Sequence, residues 1–159
     1  MSKYSLDRLS RSAGYLGLVP FVASLMLAMM ANTNGTMVAT ATQMRSFAEQ
    51  IGLIWGAIIL TFVGAVHWGF AVAGAWRWHI VTLLGAILPS LVALSAALLG
   101  GIRGYAVLVA GLGFFWLYEH RYCVESLPAD YLRLRRVLTL SVCALLVLIA
   151  VTLDAGSHR

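Results

Sequence analysis

Five long apolar runs, separated by short charged or glycine-rich breaks, dominate the chain. They fall at 13–31, 50–73, 80–99, 104–122 and 137–153. A helix of about 20 apolar residues crosses the roughly 30 Å of hydrocarbon in a bilayer, and the five runs meet or approach that length. The pattern predicts an all-α polytopic membrane bundle of five transmembrane helices, one membrane domain over 1–159. Joining the third and fourth runs would put Gly100, Gly101, Arg103 and Gly104 in mid-bilayer, where a charge is costly; those residues read as a turn.

The breaks carry their own signals. Pro20 falls in the first half of the first run and predicts a kink, since it removes a helical hydrogen bond. That run is longer than the core of a signal peptide and lacks a clean A-x-A site, so it reads as an uncleaved anchor. Residues 32–49, rich in Thr, Ser and Asn, read as the longest loop; amphipathic periodicity over 40–49 is too weak to predict a helix. In 126–136, Pro128 suits the first turn of a helix. Tyr131, Leu132, Leu134 and Val137 then alternate with Arg133, Arg135 and Arg136. This segment reads as an interfacial lead-in to the fifth helix, its arginines at headgroup phosphates and Tyr131 in the aromatic belt.

Composition agrees with lipid as the solvent. Of 159 residues 61% are hydrophobic and 11% charged, against about 25% charged in soluble domains, and the mean hydropathy is +0.88. A water-soluble globule is excluded. The net charge of +5 does not point to nucleic acid, because the basic residues flank apolar runs instead of forming one soluble face. With the N-terminus inside, the inner segments hold Lys3, Arg8, Arg11, Arg77, Arg121, Arg133, Arg135 and Arg136, and the outer ones Arg45, Arg103 and Arg159. The positive-inside bias predicts an N-in/C-out multi-pass protein. Cys123 and Cys143 match no metal or redox spacing and read as free thiols.

One constellation offers chemistry. On a helical wheel of the second run with Gly52 at zero, Gly56 falls at about 40°, His67 at about 60° and Gly64 at about 120°. Small residues let membrane helices approach closely, so this face is expected to turn inward with His67, or to meet a partner or second copy through Gly52, Gly56 and Gly64. Ile58, Phe62, Val66 and Trp55 fall on the other side. Trp68, Glu119 and His120 lie at a similar depth, and Ser90 follows Pro89, whose missing N–H frees the Gly85 carbonyl. Two readings apply to His67, Trp68, Ser90, Glu119 and His120. They form polar glue between helices, or they line an inward-facing ligand site. For Glu119 an ion pair with Arg77, Arg121 or Arg135 is favoured over catalysis; His79 and His158 read as interfacial and tail residues. The chain has no HExxH, CxxC or glycine-rich phosphate loop, so no metal, cofactor or catalytic residue is expected. Glu119 is the one carboxylate in the runs, which disfavours a proton pump.

The segments YLGLVPF at 15–21, GAIILTFVGAVHWGFAV at 56–72, LPSLVAL at 88–94 and LPADYLRLRRVLT at 127–139 together resemble a domain-of-unknown-function family of small bacterial membrane proteins, similar to mitochondrial transmembrane protein 69. The His67-Trp68-Gly69 triplet and the Tyr131–Arg135 pattern are its most specific pieces. The resemblance implies a multi-span membrane protein of a bacterium or mitochondrion, expected here in a bacterial inner membrane, and no particular reaction. The functional expectation is a non-catalytic accessory or assembly partner of a larger membrane complex; the alternative is a small transporter or ligand-binding bundle around His67. Replacing Arg133, Arg135 and Arg136 with Gln is expected to weaken orientation or insertion, and unchanged topology in a reporter fusion would count against the anchor role.

Overall fold

The computed structural model describes residues 8–33, 37–122 and 129–157. Among them every regular element is a helix: α1 (Arg8–Leu16), α2 (Val19–Ala31), α3 (Val38–Val72), α4 (Ile80–Leu99), α5 (Gly101–Tyr122) and α6 (Ala129–Ser157). The α1–α2 pair makes the first of five segments long and apolar enough to cross a membrane. Successive crossings alternate between two ends of the bundle. One, the His67 end, holds α1, the α3–α4 turn and the start of α6. The other, the Arg45 end, holds the start of α3, the α4–α5 turn and the end of α6. The expectations for Cys123, Ser126, Pro128 and His158 lie outside the described residues.

Three element boundaries differ from the sequence reading. The first run does not kink at Pro20 but breaks before it. Pro20 stands in the first turn of α2, where its missing N–H costs nothing, and the Gly17 carbonyl at the break accepts the Trp55 Nε1–H at 2.8 Å. The fifth crossing begins at Ala129, so the basic lead-in and the apolar run form one continuous helix. The largest correction concerns 32–49, which is mostly helical: α3 starts at Val38 and runs 35 residues, about 52 Å at 1.5 Å per residue. Ala41, Ala48, Gly52 and Gly56 are buried along one side of it, so the face that packs in the membrane extends back into the polar segment.

Polar groups fasten this extension at the Arg45 end. The Arg45 guanidinium donates to Asn32 Oδ1 from Nη2 at 2.9 Å and from Nε at 3.1 Å, and Asn32 Nδ2 donates to the Thr152 carbonyl at 2.8 Å. Three crossings meet there. A carboxylate oxygen of Glu49 accepts the Gly101 N–H at 2.7 Å, satisfying an otherwise orphaned donor at the α5 N-terminus, where negative charge is also favoured by the helix dipole.

Close packing holds the apolar middle. Phe21, Leu60, Leu108, Leu112, Leu146 and Ile149 are fully buried. The glycines of α3 are covered by the chain itself: Gly56 by Leu108 and Leu146, Gly64 by Pro89 and the Ala86 carbonyl, Gly52 by Tyr105 and Ser24. Between α4 and α5 the turn at Gly100, with φ +59°, forces immediate contact. A Cβ on Gly104 would stand 2.5 Å from the Ala96 carbonyl oxygen. Farther along, Gly111 faces Val92, and near the His67 end Tyr118 reaches across to Gly85. The side chains filling this seam grow toward the His67 end.

Gly104→Ala is expected to destabilise the bundle by about 1–3 kcal/mol, because backbone must move to admit the methyl. Gly113→Ala, with nothing within 4 Å of its added Cβ, is expected to be neutral or slightly stabilising through helix propensity. Thermal unfolding in detergent compares the two; equal losses would contradict the seam.

Candidate functional site

The polar residues at the His67 end occupy core positions of their helices. On α3, Gly52, Gly56, Leu60, Val63, His67 and Ala71 are buried in helical register. On α5 the corresponding line is Tyr105, Leu108, Leu112, Phe115 and Glu119, and on α6 it is Arg135, Thr139, Val142, Leu146 and Ile149. Spacings of three and four keep each line on one helix face. His67, Glu119 and Arg135 are each the point where such a line, apolar along most of its length, turns titratable.

His67 is 1% exposed. Its ring is enclosed edge-on by Trp76 and Phe115, with centroids 5.1 and 5.0 Å away, and by Tyr118 at 5.8 Å. Nδ1 lies 3.4 Å from the Val63 carbonyl, four residues back, where an Nδ1–H would donate into the same helix. Trp76 reaches the ring because α3 ends in a reversal. Gly74 has φ +71°, its N–H donates to the Ala71 carbonyl and the Ala75 N–H to the Phe70 carbonyl, the two bonds of a Schellman ending. The chain then folds back, and Trp76 stacks on Phe70.

Glu119 and Arg135 join α5 to α6. Arg135 Nε donates to Glu119 Oε2 at 3.0 Å, with the side chains 9% and 1% exposed respectively, and Arg135 Nη1 donates to Thr139 Oγ1 at 2.9 Å. Of the three ion-pair partners considered from sequence, Arg135 is the one used. This corrects the reading of Arg135 as a headgroup anchor: it faces the interior, while Arg133, two residues before it, and Arg136, one after, are exposed. Tyr131 is half-buried. Glu119 Oε1 and Arg135 Nη2 are buried without a hydrogen-bond partner, so the pair is incompletely compensated.

The other sequence candidates do not join this interior. Trp68 is 48% exposed and meets Trp78 edge-on at 5.3 Å. His120 is exposed and stacks on Trp116, one turn back on α5. Ser90 is half-buried on α4, beyond the linings of the cavities at this end. Tyr118, Phe115 and Trp76 were not singled out from sequence. The positive-φ glycine after α3 was the available signal for Trp76, and the α5 register for Phe115. A cavity of about 220 Å³ adjoins the ion pair, walled by Trp116, Glu119, His120, Arg133, Arg135 and Arg136 among others. Among the described residues no group of three His, Cys, Asp or Glu gathers to hold a metal ion.

A family described as a protein of unknown function, DUF3429, matches residues 7–151, a stretch that includes His67, Glu119, Arg135 and Thr139. The chain belongs to the DUF3429 family. Neither a curated protein nor a solved structure matches it. In this DUF3429 chain Glu119 and Arg135 form a bond between α5 and α6, while His67 bonds within α3 and is enclosed by aromatic rings.

Removing one partner of the pair, as in Glu119→Leu or Arg135→Met, is expected to destabilise the bundle by about 3–5 kcal/mol, because the remaining charge is buried alone. The double variant is expected to recover most of that loss, since two apolar side chains of similar length need no compensation. Unfolding by SDS titration in mixed micelles measures all three. Additive losses in the double variant would show that the two residues act separately.

Proposed function

We propose that this chain is a non-catalytic protein of a bacterial inner membrane, with its N-terminus in the cytoplasm, acting as an accessory or assembly partner of a larger membrane complex. The observation that carries this reading is the closure of the polar interior: His67 is sealed by three aromatic rings, and Glu119 is engaged by Arg135. Polar side chains at membrane depth either serve a substrate or hold helices together, and these hold helices. The reading of His67 as the centre of an inward-facing transport site draws no support from a ring 1% exposed.

The orientation rests on the arginines that reach the surface. Arg11, Arg77, Arg121, Arg133 and Arg136 are exposed at the His67 end. At the other end Arg103 is exposed, while Arg45 is turned onto Asn32. Arg135, neutralised in the core, leaves the bias without reversing it. A kinship with mitochondrial transmembrane protein 69, which we propose from the sequence segments alone, would extend this role to organellar membranes. Since the α3 glycines are filled from within, a partner would meet another face of the bundle.

Cross-linked in its own membrane and then solubilised in mild detergent, the chain is expected to migrate in a discrete assembly larger than the free chain. His67→Phe is expected to leave that assembly intact. A single species of one-chain mass, cross-linked to nothing, would overturn the reading.

A further inference from the structure

Two cavities meet at the α4–α5 seam, and their chemistry changes sharply at the meeting point. The larger, about 490 Å³, is a groove with apolar walls that include Leu84, Leu88, Val92, Val107, Ala110 and Phe114. Its volume falls within the 300–1,000 Å³ typical of ligand sites. The second, about 280 Å³, is walled by Trp76, Arg77, Thr82 and Tyr122 among others. Val81 and Tyr118 line both, and the Tyr118 hydroxyl donates to the Val81 carbonyl at 3.0 Å, so a fixed threshold joins an apolar slot to a polar chamber.

The dimensions and the charge select an occupant. From Val81 to Val92 the groove follows about 16 Å of α4 at 1.5 Å per residue, and from Tyr118 to Val107 it follows the same length of α5. That is about half of the roughly 30 Å hydrocarbon layer, the depth of one leaflet. The groove opens sideways between exposed Leu84, Leu88 and Phe114, so an acyl chain can enter from the bilayer. At the head of the slot Arg77, which has no ion pair among the described residues, shares the chamber wall with Tyr122 and Trp76, residue types suited to the headgroup level.

We propose that the α4–α5 groove is a binding site for one glycerophospholipid of the His67-end leaflet, one acyl chain lying in the slot and the phosphate diester on Arg77. The site is independent of the accessory role proposed above, because it concerns the lipid and not the protein partner.

The test is native mass spectrometry of the intact chain, delipidated and then titrated with dioleoyl-phosphatidylglycerol in detergent, with inorganic phosphate and a long-chain isoprenoid quinone as separate arms. One phospholipid per chain is expected to persist at activation energies that strip the rest. Arg77→Gln is expected to weaken it about fivefold, the contribution of one interfacial arginine. Ala110→Phe, an exposed position on the groove wall, is expected to abolish retention by filling the slot. Thermal unfolding checks that both variants fold, and Arg77→Gln, in an exposed turn, keeps the test valid should Ala110→Phe fail. Lipids lost in the same graded series from wild type and both variants would mean an annular belt and overturn the proposal. So would retention of the quinone in place of the phospholipid, or binding of inorganic phosphate alone.

Discussion

The ion pair between Glu119 and Arg135 imposes the strictest condition on this bundle. It is buried between α5 and α6, and each charge is tolerable there only while the other is within reach. Lipid tails are as apolar as leucine, so burying leucine against leucine gives the helices little reason to associate. A charge at a core position is different: the alternative to the correct neighbour is an unpaired charge in hydrocarbon. The pair therefore restricts how far α6 can slide or rotate against α5, and Thr139, one turn along α6, holds the guanidinium in place.

The rest of the bundle repeats this division between polar fasteners at the ends and tight apolar contact in the middle. At the Arg45 end, Arg45, Asn32 and the Thr152 carbonyl connect α3, the end of α2 and α6, while Glu49 closes the start of α5. Between the ends, glycines allow approach that larger side chains would prevent, as where Gly104 meets the backbone carbonyl of Ala96. Ser24 belongs to the same scheme at intermediate depth: its hydroxyl donates to the Ala48 carbonyl at 2.7 Å. Such bonds average well under 2 kcal/mol in membrane proteins. Their value lies in direction, since dispersion contacts alone discriminate poorly between rotations of similar helices.

Hydropathy made the five crossings legible because crossing lipid demands long apolar runs whatever the function. The inward turn of Gly52, Gly56, Gly64 and His67 was legible for the same reason, as was the outward turn of Ile58 and Phe62, both exposed. Trp55 was only partly so: it lies on the predicted side but is half-buried, donating to the carbonyl left free by the break at Gly17. The start of α3 was missed because its polar residues resemble a loop in composition. Only the buried Ala41, Ala48 and Gly52, spaced seven and four apart, show the helix, and alanines and glycines barely register in hydropathy.

Arg135 shows why depth along a helix and direction around it have to be read separately. Three arginines within four residues at the edge of an apolar run point to the interface on depth alone, and for Arg133 and Arg136 that is where they are. Carried back from Ile149 through Leu146, Val142 and Thr139, however, the buried stripe of α6 arrives at Arg135 and at neither of the others. The same extension along α5, from Leu108 through Leu112 and Phe115, arrives at Glu119. Two stripes on neighbouring helices that end in opposite charges at the same end of a bundle have one low-energy arrangement, which is to meet.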